Sequence, residues 1–352
     1  MKTIAIIGKF MPMTKGHLGM IEHYSKKYQD DNVYVFVCYT EGETFPVDIR
    51  YSWVKRATEH LPNVEVKYVL EQLGSSTDGR TSVKSVSKVW AKWLKRVYPE
   101  ITHFGGSEPY VQMMAESVGI EHDIFDIERV NVPISATKVR TNVHKYKDML
   151  AIPEMFDEYV FKFAVVGLDS SGKSSLIHWL STQFDCEVVH EYGRDYCSIH
   201  TPANDGTDNF LNDTFRGRRS LEDIGYGHHK LVIASYRNAW KKKKKILLVD
   251  TEHYVTRGFY QRYFDEDSHY LRDLCNFQHY DGYIFCDLLP LEDDGTRRQA
   301  TDDERKINSD NLYKMIKDNV KDSKIITAPS DYEERRSKAK AFIESVVNGT
   351  EL

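Results

Sequence analysis

The sequence predicts an α/β protein built of two doubly wound parallel-sheet domains. Along the 352 residues, short runs rich in β-branched and aromatic residues alternate with longer amphipathic stretches, which is typical of parallel strands covered by helices. The alternation occurs twice, and the halves separate where a proline follows Ile152 and breaks a helical pattern. Two domains are also the natural expectation at this length. We predict one domain over residues 1–150, a linker over 151–160 and a second domain over 161–352.

Five strands are predicted in the first domain, because five short runs of mainly apolar and β-branched residues are separated by longer stretches. These strands lie near Thr3–Ile7, Val33–Tyr39, Val64–Leu70, Ile101–Phe104 and His122–Ile127. Between them, apolar residues recur at the spacing of a helix face. The predicted helices lie near Gly16–Lys27, Ile49–His60, Val83–Tyr98 and Glu108–Val118.

The second domain repeats this organisation with its own five strands. They lie near Phe161–Val166, Cys186–His190, Ile246–Asp250, Gly282–Cys286 and Lys324–Thr327. The predicted helices lie near Lys173–Gln183, Ser220–Trp240, Asp267–Asn276 and Ser309–Asp322. Each half therefore has enough strands and helices for an open sheet of its own.

The composition indicates a soluble cytoplasmic enzyme. Hydrophobic residues make up 41% and charged residues 29%, the formal net charge is −5, and the apolar runs are far shorter than the roughly 20 residues of a membrane span. The chain starts at a predicted strand rather than a signal peptide. Its five cysteines form no CxxC pair, which argues against structural zinc or a disulfide framework. The run Lys241–Lys245 ends a helix before a buried strand, so we expect a solvated helix terminus and no nucleic-acid partner.

A complete phosphate-binding loop follows the first strand of the second domain. Residues 167–175 read Gly-Leu-Asp-Ser-Ser-Gly-Lys-Ser-Ser, between an apolar run and a helical pattern. Its glycines let backbone N–H groups turn inward on a phosphate, Lys173 adds charge, and Ser174 is a ligand for Mg²⁺. Nucleotide contacts are predicted at Gly167, Ser170, Ser171, Gly172, Lys173, Ser174 and Ser175. The loop predicts binding of a nucleoside triphosphate.

The first domain carries a second phosphate-facing pattern, the segment Gly8–His17 between a strand and a helix. His17 in the first helical turn can donate to a developing negative charge, and Thr14 offers a hydroxyl on the same side. At the other end of the domain, residues 134–140 read Ile-Ser-Ala-Thr-Lys-Val-Arg. Ser135 suits a helix cap, and its hydroxyl, that of Thr137 and the guanidinium of Arg140 suit the same phosphates.

These paired motifs, GKFxPxTxGH and ISxTxxR, resemble those of the nucleotidyltransferases marked by an (H/T)xGH signature. With the phosphate-binding loop behind them, the whole chain resembles the NadR-type family, which joins a nicotinamide-mononucleotide adenylyltransferase to a ribosylnicotinamide kinase. The resemblance implies a Rossmann-like nucleotidyltransferase domain followed by a P-loop kinase domain. It also implies ATP and Mg²⁺ as cofactors, small-molecule substrates, NAD as product, and allows a homo-oligomer.

Three further segments support this family, and three features depart from it. Residues 191–196 look like its EYGRDY segment, 249–251 like its Walker-B-like strand end, and 289–297 like its P-W-x-x-D-G-x-R lid. Thr14 stands where the family usually has His, and Leu291 where it has Trp. Some members begin with a helix-turn-helix repressor domain, whereas this chain starts at a strand, so we expect no DNA reading.

In the first domain the resemblance implies attack of the mononucleotide phosphate on the α-phosphorus of ATP. The attacking phosphate is already ionised, so positioning and charge neutralisation suffice. Catalytic candidates are His17, Arg140 and Thr14, which would hold a phosphate oxygen. Further nucleotide contacts are expected at Gly8, Lys9, Phe10, Lys15, Gly106, Ser135 and Thr137.

Two substrate contacts in this domain have competing structural explanations. Trp90 could stack on a cationic nicotinamide ring, but it also falls on an apolar helix face with Val86 and Leu94. Arg50 follows a loop and is a candidate contact with substrate, or a structural residue.

In the second domain the resemblance implies phosphorylation of a riboside. Its 5′-hydroxyl is a poor nucleophile, so a carboxylate is expected to accept the proton. We predict Glu191 or Asp195 at the riboside and Asp250 at the Mg²⁺ with Ser174. Tyr192 and Arg194 are further substrate contacts, and Arg297 and Arg298 are expected in a lid that closes on the phosphates.

Three hypotheses therefore remain for the function. The leading one is a two-step enzyme that phosphorylates nicotinamide riboside and adenylates the product to NAD. A second is a related nucleoside kinase and nucleotidyltransferase fusion with other substrates. A third is a nucleotide sensor whose first site is degenerate, for which Thr14 is the only support.

Overall fold

The computed structural model describes residues 1–39, 43, 45–70, 83–128, 130, 132–200, 214–290, 301–320 and 323–350. These residues form two compact units, Met1–Asp157 and Glu158–Leu352. None of the helices in the described ranges is both long and apolar enough to cross a membrane.

The first unit contains five parallel strands in the order β3-β2-β1-β4-β5. The strands are β1 Thr3–Gly8, β2 Asn32–Tyr39, β3 Val64–Leu70, β4 His103–Gly106 and β5 Glu121–Ile124. The helices are α1 Lys15–Lys27, α2 Val47–Ala57, α3 Val83–Val97, α4 Tyr110–Val118, α5 Ala136–Thr141 and α6 Glu154–Asp157, with a 3₁₀ turn at Lys147–Met149. The predicted doubly wound sheet is confirmed.

The order of these strands places the binding crevice. Strand β1 is central, pairing with β2 on one side and β4 on the other, and Ile4, Ala5 and Ile6 are fully buried within it. The strand order reverses between β1 and β4. In open parallel sheets, ligands bind beyond the carboxyl ends of the strands at this reversal.

The second unit is another open parallel sheet, with the order β10-β9-β6-β8-β7. Its strands are β6 Phe161–Val166, β7 Cys186–Val189, β8 Ile246–Asp250, β9 Gly282–Cys286 and β10 Lys324–Ala328. Its helices are α7 Lys173–Gln183, α8 Tyr192–His200, α9 Thr214–Lys241, α10 His253–Phe264, α11 His269–Phe277, α12 Asp302–Asn319 and α13 Tyr332–Asn348. All of β6, β8 and β9 is buried, so these three strands form the centre of the core.

The strands agree closely with the prediction, and the helices less so. Strand β5 ends at Ile124 rather than at Ile127, and α9 and α12 begin about six residues earlier than predicted. Helices α8, α10 and α13 were not among the predicted elements. At α12 the missed signal is a capping box, in which Thr301 and Glu304 bond reciprocally to each other's backbone N–H.

Candidate active sites

The first unit has a cleft of about 280 Å³ beyond the carboxyl ends of β1 and β4. Predicted site residues that line it are Gly8, Lys9, Phe10, Thr14, His17, Gly106, Ser135 and Thr137. The other lining residues are Ile7, Gly16, Met20, Ser107, Glu108, Tyr110, Phe125, Asp126, Val132, Ile134 and Ala136. The fold thus brings the two distant sequence motifs to one cleft.

His17 is held at the start of α1 by Thr14, the cap of that helix. The Thr14 backbone N–H donates to His17 Nδ1 at 3.0 Å, and the Thr14 hydroxyl accepts from the His17 backbone N–H at 3.4 Å. Because Nδ1 is an acceptor, a neutral His17 carries its proton on Nε2, the nitrogen that can donate to a ligand. Thr14 is 1% exposed and its hydroxyl already engages His17. This geometry favours positioning of His17 over the predicted contact of Thr14 with a phosphate.

Lys9 lies at the edge of the cleft and is paired with a buried carboxylate. Lys9 Nζ is 2.7 Å from Glu43 Oε1, and Arg50 donates to Glu43 Oε2 at 2.8 Å. Arg50 is fully buried and also donates to the carbonyls of Phe45, Lys9 and Cys38. The predicted contact of Arg50 with substrate therefore does not fit the structure, because the guanidinium of Arg50 already donates to acceptors of the protein itself. Arg50 instead fixes the backbone of Lys9 and the carboxylate that holds the Lys9 side chain.

Helix α5 contributes its amino-terminal end to the cleft. Ser135 caps it by accepting from the Lys138 N–H at 3.1 Å. Arg140 donates to the Met11 carbonyl and, at 3.3 Å, to Thr137 Oγ1. Arg140 thus ties α5 to the loop after β1, and it is not among the residues that line the cleft.

Two other predicted contacts lie away from this cleft. Trp90 is 6% exposed and packs in the core with Phe36 and Leu94, so the packing alternative is the one that the structure supports. The helical period places its side of α3 against the sheet. Lys15 is exposed in the first turn of α1, outside the cleft lining.

Phe125 and Asp126 line the cleft but were not predicted as site residues. Phe125 packs against His23, with ring centroids 4.5 Å apart. Asp126 has a positive φ of 49° and accepts from the Val130 N–H. Both residues fall inside the predicted strand His122–Ile127, so the sequence did not indicate them as site residues. Because β5 ends at Ile124, they follow the carboxyl end of a strand, where site residues are expected.

In the second unit the phosphate-binding loop joins β6 to α7. Gly167 and Gly172 have φ angles of 148° and 74°, which side chains rarely adopt. A Cβ on Gly167 would also lie 2.7 Å from Ser171 Oγ. Lys173 is buried, and its ammonium donates across the loop to the Leu168 carbonyl at 2.9 Å. The backbone therefore has the curvature that the motif requires.

Ser174 and Asp250 form the predicted magnesium position. Ser174 Oγ donates to Asp250 Oδ2 at 2.7 Å, and the buried Asp250 Oδ1 has no hydrogen-bond partner among the described residues. A hydroxyl and an orphaned carboxylate oxygen are hard ligands that suit Mg²⁺. Within the described ranges no group of three or more metal-binding side chains occurs. Mg²⁺ is normally bound by few protein ligands, with phosphates and water completing its shell, so these two residues fit the ion.

A pocket of about 380 Å³ adjoins this position and holds the predicted residues Glu191, Tyr192 and Arg194. Arg194 Nη2 lies 3.3 Å from Glu191 Oε2 and 3.5 Å from Ser174 Oγ. The rest of the lining is Asp169, Gly193, Cys197, Leu221, Ile224, His228, Thr251, Thr256, Phe259 and Tyr263. Asp195 is exposed on α8 and is not part of the lining. Of the two carboxylates that the sequence left open, Glu191 is the one at the pocket.

Three further residues of this pocket, Phe259, Tyr263 and His228, were not predicted. Phe259 and Tyr263 lie on α10 with nearly parallel rings, their centroids 6.0 Å apart. His228 on α9 donates a ring N–H to the Thr251 carbonyl, and burial lowers its pKa to about 4. The pocket is therefore aromatic and carries a neutral imidazole near neutral pH. The predicted lid residues Arg297 and Arg298, with Leu291, lie outside the described residues.

Comparison with known proteins gives matches in both units. Residues 162–335 match a family described as "AAA domain", and residues 3–78 match one described as "Citrate lyase ligase C-terminal domain". The trifunctional NAD biosynthesis/regulator protein NadR of Salmonella typhimurium is 23% identical over 337 residues, which cover 90% of this chain and 77% of that protein. NadR of Escherichia coli is 22% identical over 338 residues, with the same shares.

A solved structure described as NadR protein in complex with NR aligns over 100% of this chain and 98% of its own, with 19% identity and a TM-score of 0.45. The similarity in sequence to the two NadR proteins runs through both units, in the order in which the motifs occur. The chain is therefore a homologue of these NadR proteins, with a nucleotidyltransferase-like domain followed by a P-loop kinase-like domain.

Proposed function

We propose that the chain is a bifunctional enzyme of NAD biosynthesis. The second unit transfers a phosphoryl group from ATP to nicotinamide riboside, and the first transfers the adenylyl group of a second ATP to the resulting mononucleotide. One observation carries the proposal: each unit has its own phosphate-facing motif at the carboxyl ends of a parallel sheet. The relatedness to the NadR proteins of two bacteria supports the choice of substrates.

In the kinase step, the 5′-hydroxyl oxygen of the riboside attacks the γ-phosphorus of ATP, and the bond to the β-γ bridging oxygen breaks. Glu191 accepts the hydroxyl proton, because of the two predicted carboxylates, Glu191 and Asp195, it is the one that lines the acceptor pocket. Lys173 and the N–H groups of the loop neutralise the charge that develops on the phosphates. Ser174 and Asp250 would hold Mg²⁺, which supplies Lewis-acid stabilisation of the phosphate oxygens when bound.

The pocket beside Glu191 suits a flat, cationic base. Tyr192, Phe259 and Tyr263 line the pocket, and aromatic rings attract a positively charged nicotinamide ring. His228 is neutral near pH 7, so it adds no cation that would repel this ring. Arg194 lies at the Ser174 end of the pocket, where charge on a transferring phosphoryl group would be stabilised.

In the adenylyl step, a phosphate oxygen of the mononucleotide attacks the α-phosphorus of ATP and pyrophosphate leaves. The nucleophile is already ionised, so this step needs no general base. His17, with its proton on Nε2, donates to the charge that develops at the α-phosphate. Lys9 attracts the triphosphate, while Thr14 and Arg140 hold the loop and α5 in place.

We expect ATP and Mg²⁺ in both reactions, small molecules as substrates, and a cytoplasmic location. Homo-oligomerisation stays a prediction. The alternative of other nucleoside substrates has no residue in the described pocket that favours it, and the sensor hypothesis rests on Thr14, which the structure shows supporting His17.

The test is chromatographic analysis of nucleotides after the protein is mixed with ATP, Mg²⁺ and nicotinamide riboside, and separately with nicotinamide mononucleotide. We expect NAD from both substrates. Accumulation of mononucleotide without NAD would support the sensor hypothesis, and no product from either substrate would overturn the nicotinamide assignment.

A further inference from the structure

Helix α13 carries a buried arginine that contacts the phosphate-binding loop from behind. Arg335 is 1% exposed, although it belongs to a helix rich in surface charges. Its Nη1 donates to the Ser171 carbonyl at 2.6 Å, its Nη2 to the Asp287 carbonyl at 2.9 Å, and its Nε to the Pro329 carbonyl at 2.6 Å. One side chain thus joins the loop to the segments that follow β9 and β10.

The bond to Ser171 constrains the direction of the loop's N–H groups. In a trans peptide the C=O and the N–H point in opposite directions. With the Ser171 carbonyl turned toward Arg335, the Gly172 N–H points away from Arg335. The space is tight, since a Cβ on Gly172 would lie 2.7 Å from Arg335 Nη1. The guanidinium therefore braces the peptide whose N–H has to face a phosphate.

An acidic side chain, Asp287, lies within reach of the charge on this guanidinium: burial raises the pKa of its carboxyl, and Arg335 opposes that rise. Among the described residues the hydrogen-bond acceptors of the guanidinium are three backbone carbonyls, and no carboxylate lies within ion-pair distance of it. Its field reaches the neighbouring groups: burial raises the pKa of Cys286 to about 11, and Arg335 opposes that rise. A buried cation acts at low effective dielectric, so its attraction for an anion is stronger than in water.

We propose that Arg335 is a positioning residue of the nucleotide site, which orients the loop peptide and supplies a buried positive charge beneath the phosphates without touching them. The inference rests on the proposed function only in that this loop binds a nucleoside triphosphate. It predicts that replacement of Arg335 weakens the binding of a ligand more, the more phosphates the ligand carries. A purely structural role would weaken all adenine ligands alike.

The test compares Arg335→Met and Arg335→Lys with the wild-type chain. The control is Arg336→Met, which removes the adjacent cation; Arg336 is more exposed and pairs with Glu333 at 3.2 Å. The readout is photolabelling by 8-azido-ATP of peptides from residues 158–350, measured by mass spectrometry, with ATP, ADP and adenosine as competitors. Because the labelled peptides identify the site, binding in the first unit does not interfere.

We expect Arg335→Met to weaken competition by ATP about tenfold or more, by ADP less, and by adenosine less than about twofold. Arg335→Lys keeps the charge but loses the guanidinium that donates to three carbonyls, so we expect an intermediate weakening of competition by ATP. Equal weakening for all three competitors, or none in either variant, would overturn the proposal. If Arg335→Met fails to fold, Arg335→Lys alone decides between these outcomes. Labelling does not depend on riboside phosphorylation, so failure of the proposed function would be seen separately.

Discussion

Lys9 is the residue whose role depends most on a partner that was not predicted. Glu43 holds its ammonium at 2.7 Å and is itself held by the buried Arg50. We expect Glu43→Gln to raise the KM for ATP in mononucleotide adenylation about fivefold to tenfold, because Lys9 loses its orientation. In a Lys9→Met background the same substitution should change KM less than twofold. Steady-state kinetics of the four proteins measures this coupling.

Equal effects of Glu43→Gln in both backgrounds would contradict a role through Lys9. Lys15→Met serves as the matched control, because Lys15 is an exposed cation in the same segment but outside the cleft lining. It should change KM less than twofold. A larger effect would restore Lys15 as the cation that contacts the triphosphate.

Glu191 and Asp195 give a second test, because the sequence could not choose between them. Glu191 lines the acceptor pocket and Asp195 is exposed outside it. We expect Glu191→Gln to lower kcat for riboside phosphorylation about 10²-fold to 10³-fold, in line with removal of a general base. Asp195→Asn should change it less than about threefold. Measured turnover with saturating ATP decides, and the reverse ranking would place the base on α8.

At the scale of elements, a buried acid at the start of α10 should make the free energy of unfolding depend on pH. Glu252 is fully buried, caps α10 through the Tyr254 N–H at 3.0 Å, and burial raises its pKa to about 7. Between the unfolded value of 4.5 and about 7, the folded state binds more protons than the unfolded chain. The free energy of unfolding should therefore fall as pH rises through this window, with the full loss present above pH 7.

Glu252→Gln should remove this dependence. Relative to wild type, we expect the variant to gain about 1–3 kcal/mol between pH 5 and pH 8. Hydrogen exchange of β8 amides, corrected for intrinsic rates, reports the unfolding free energy of this unit at each pH. A constant difference between the two proteins would show that Glu252 does not titrate in this range.

The elements also show why prediction succeeded in part. Strands such as β6 and β8 are short, wholly buried runs, and these have a clear signal in the sequence. Helix α10 has no such signal, because aromatic residues occur all round it and serve both the core and the acceptor pocket. Arg335 contacts a segment that is far away along the chain, and Glu43 lies in a loop between β2 and α2. Their contacts depend on tertiary packing, which residue patterns along the chain do not report.

At the scale of the whole molecule, we propose that each unit catalyses one of the two reactions. The cleft of the first unit and the pocket of the second have separate phosphate-facing residues, and no described residue serves both. Loss of one site should therefore leave the other reaction intact, provided that its own substrate is supplied.

The most direct test is a crossed pair of variants, His17→Ala and Lys173→Ala, each given nicotinamide riboside or mononucleotide with ATP and Mg²⁺. We predict that His17→Ala forms mononucleotide at the wild-type rate but forms NAD about 10²-fold to 10³-fold more slowly. Lys173→Ala should form NAD from mononucleotide normally and fail to phosphorylate the riboside. Loss of both reactions in either folded variant, or retention of both in each, would contradict the assignment of one reaction to each unit.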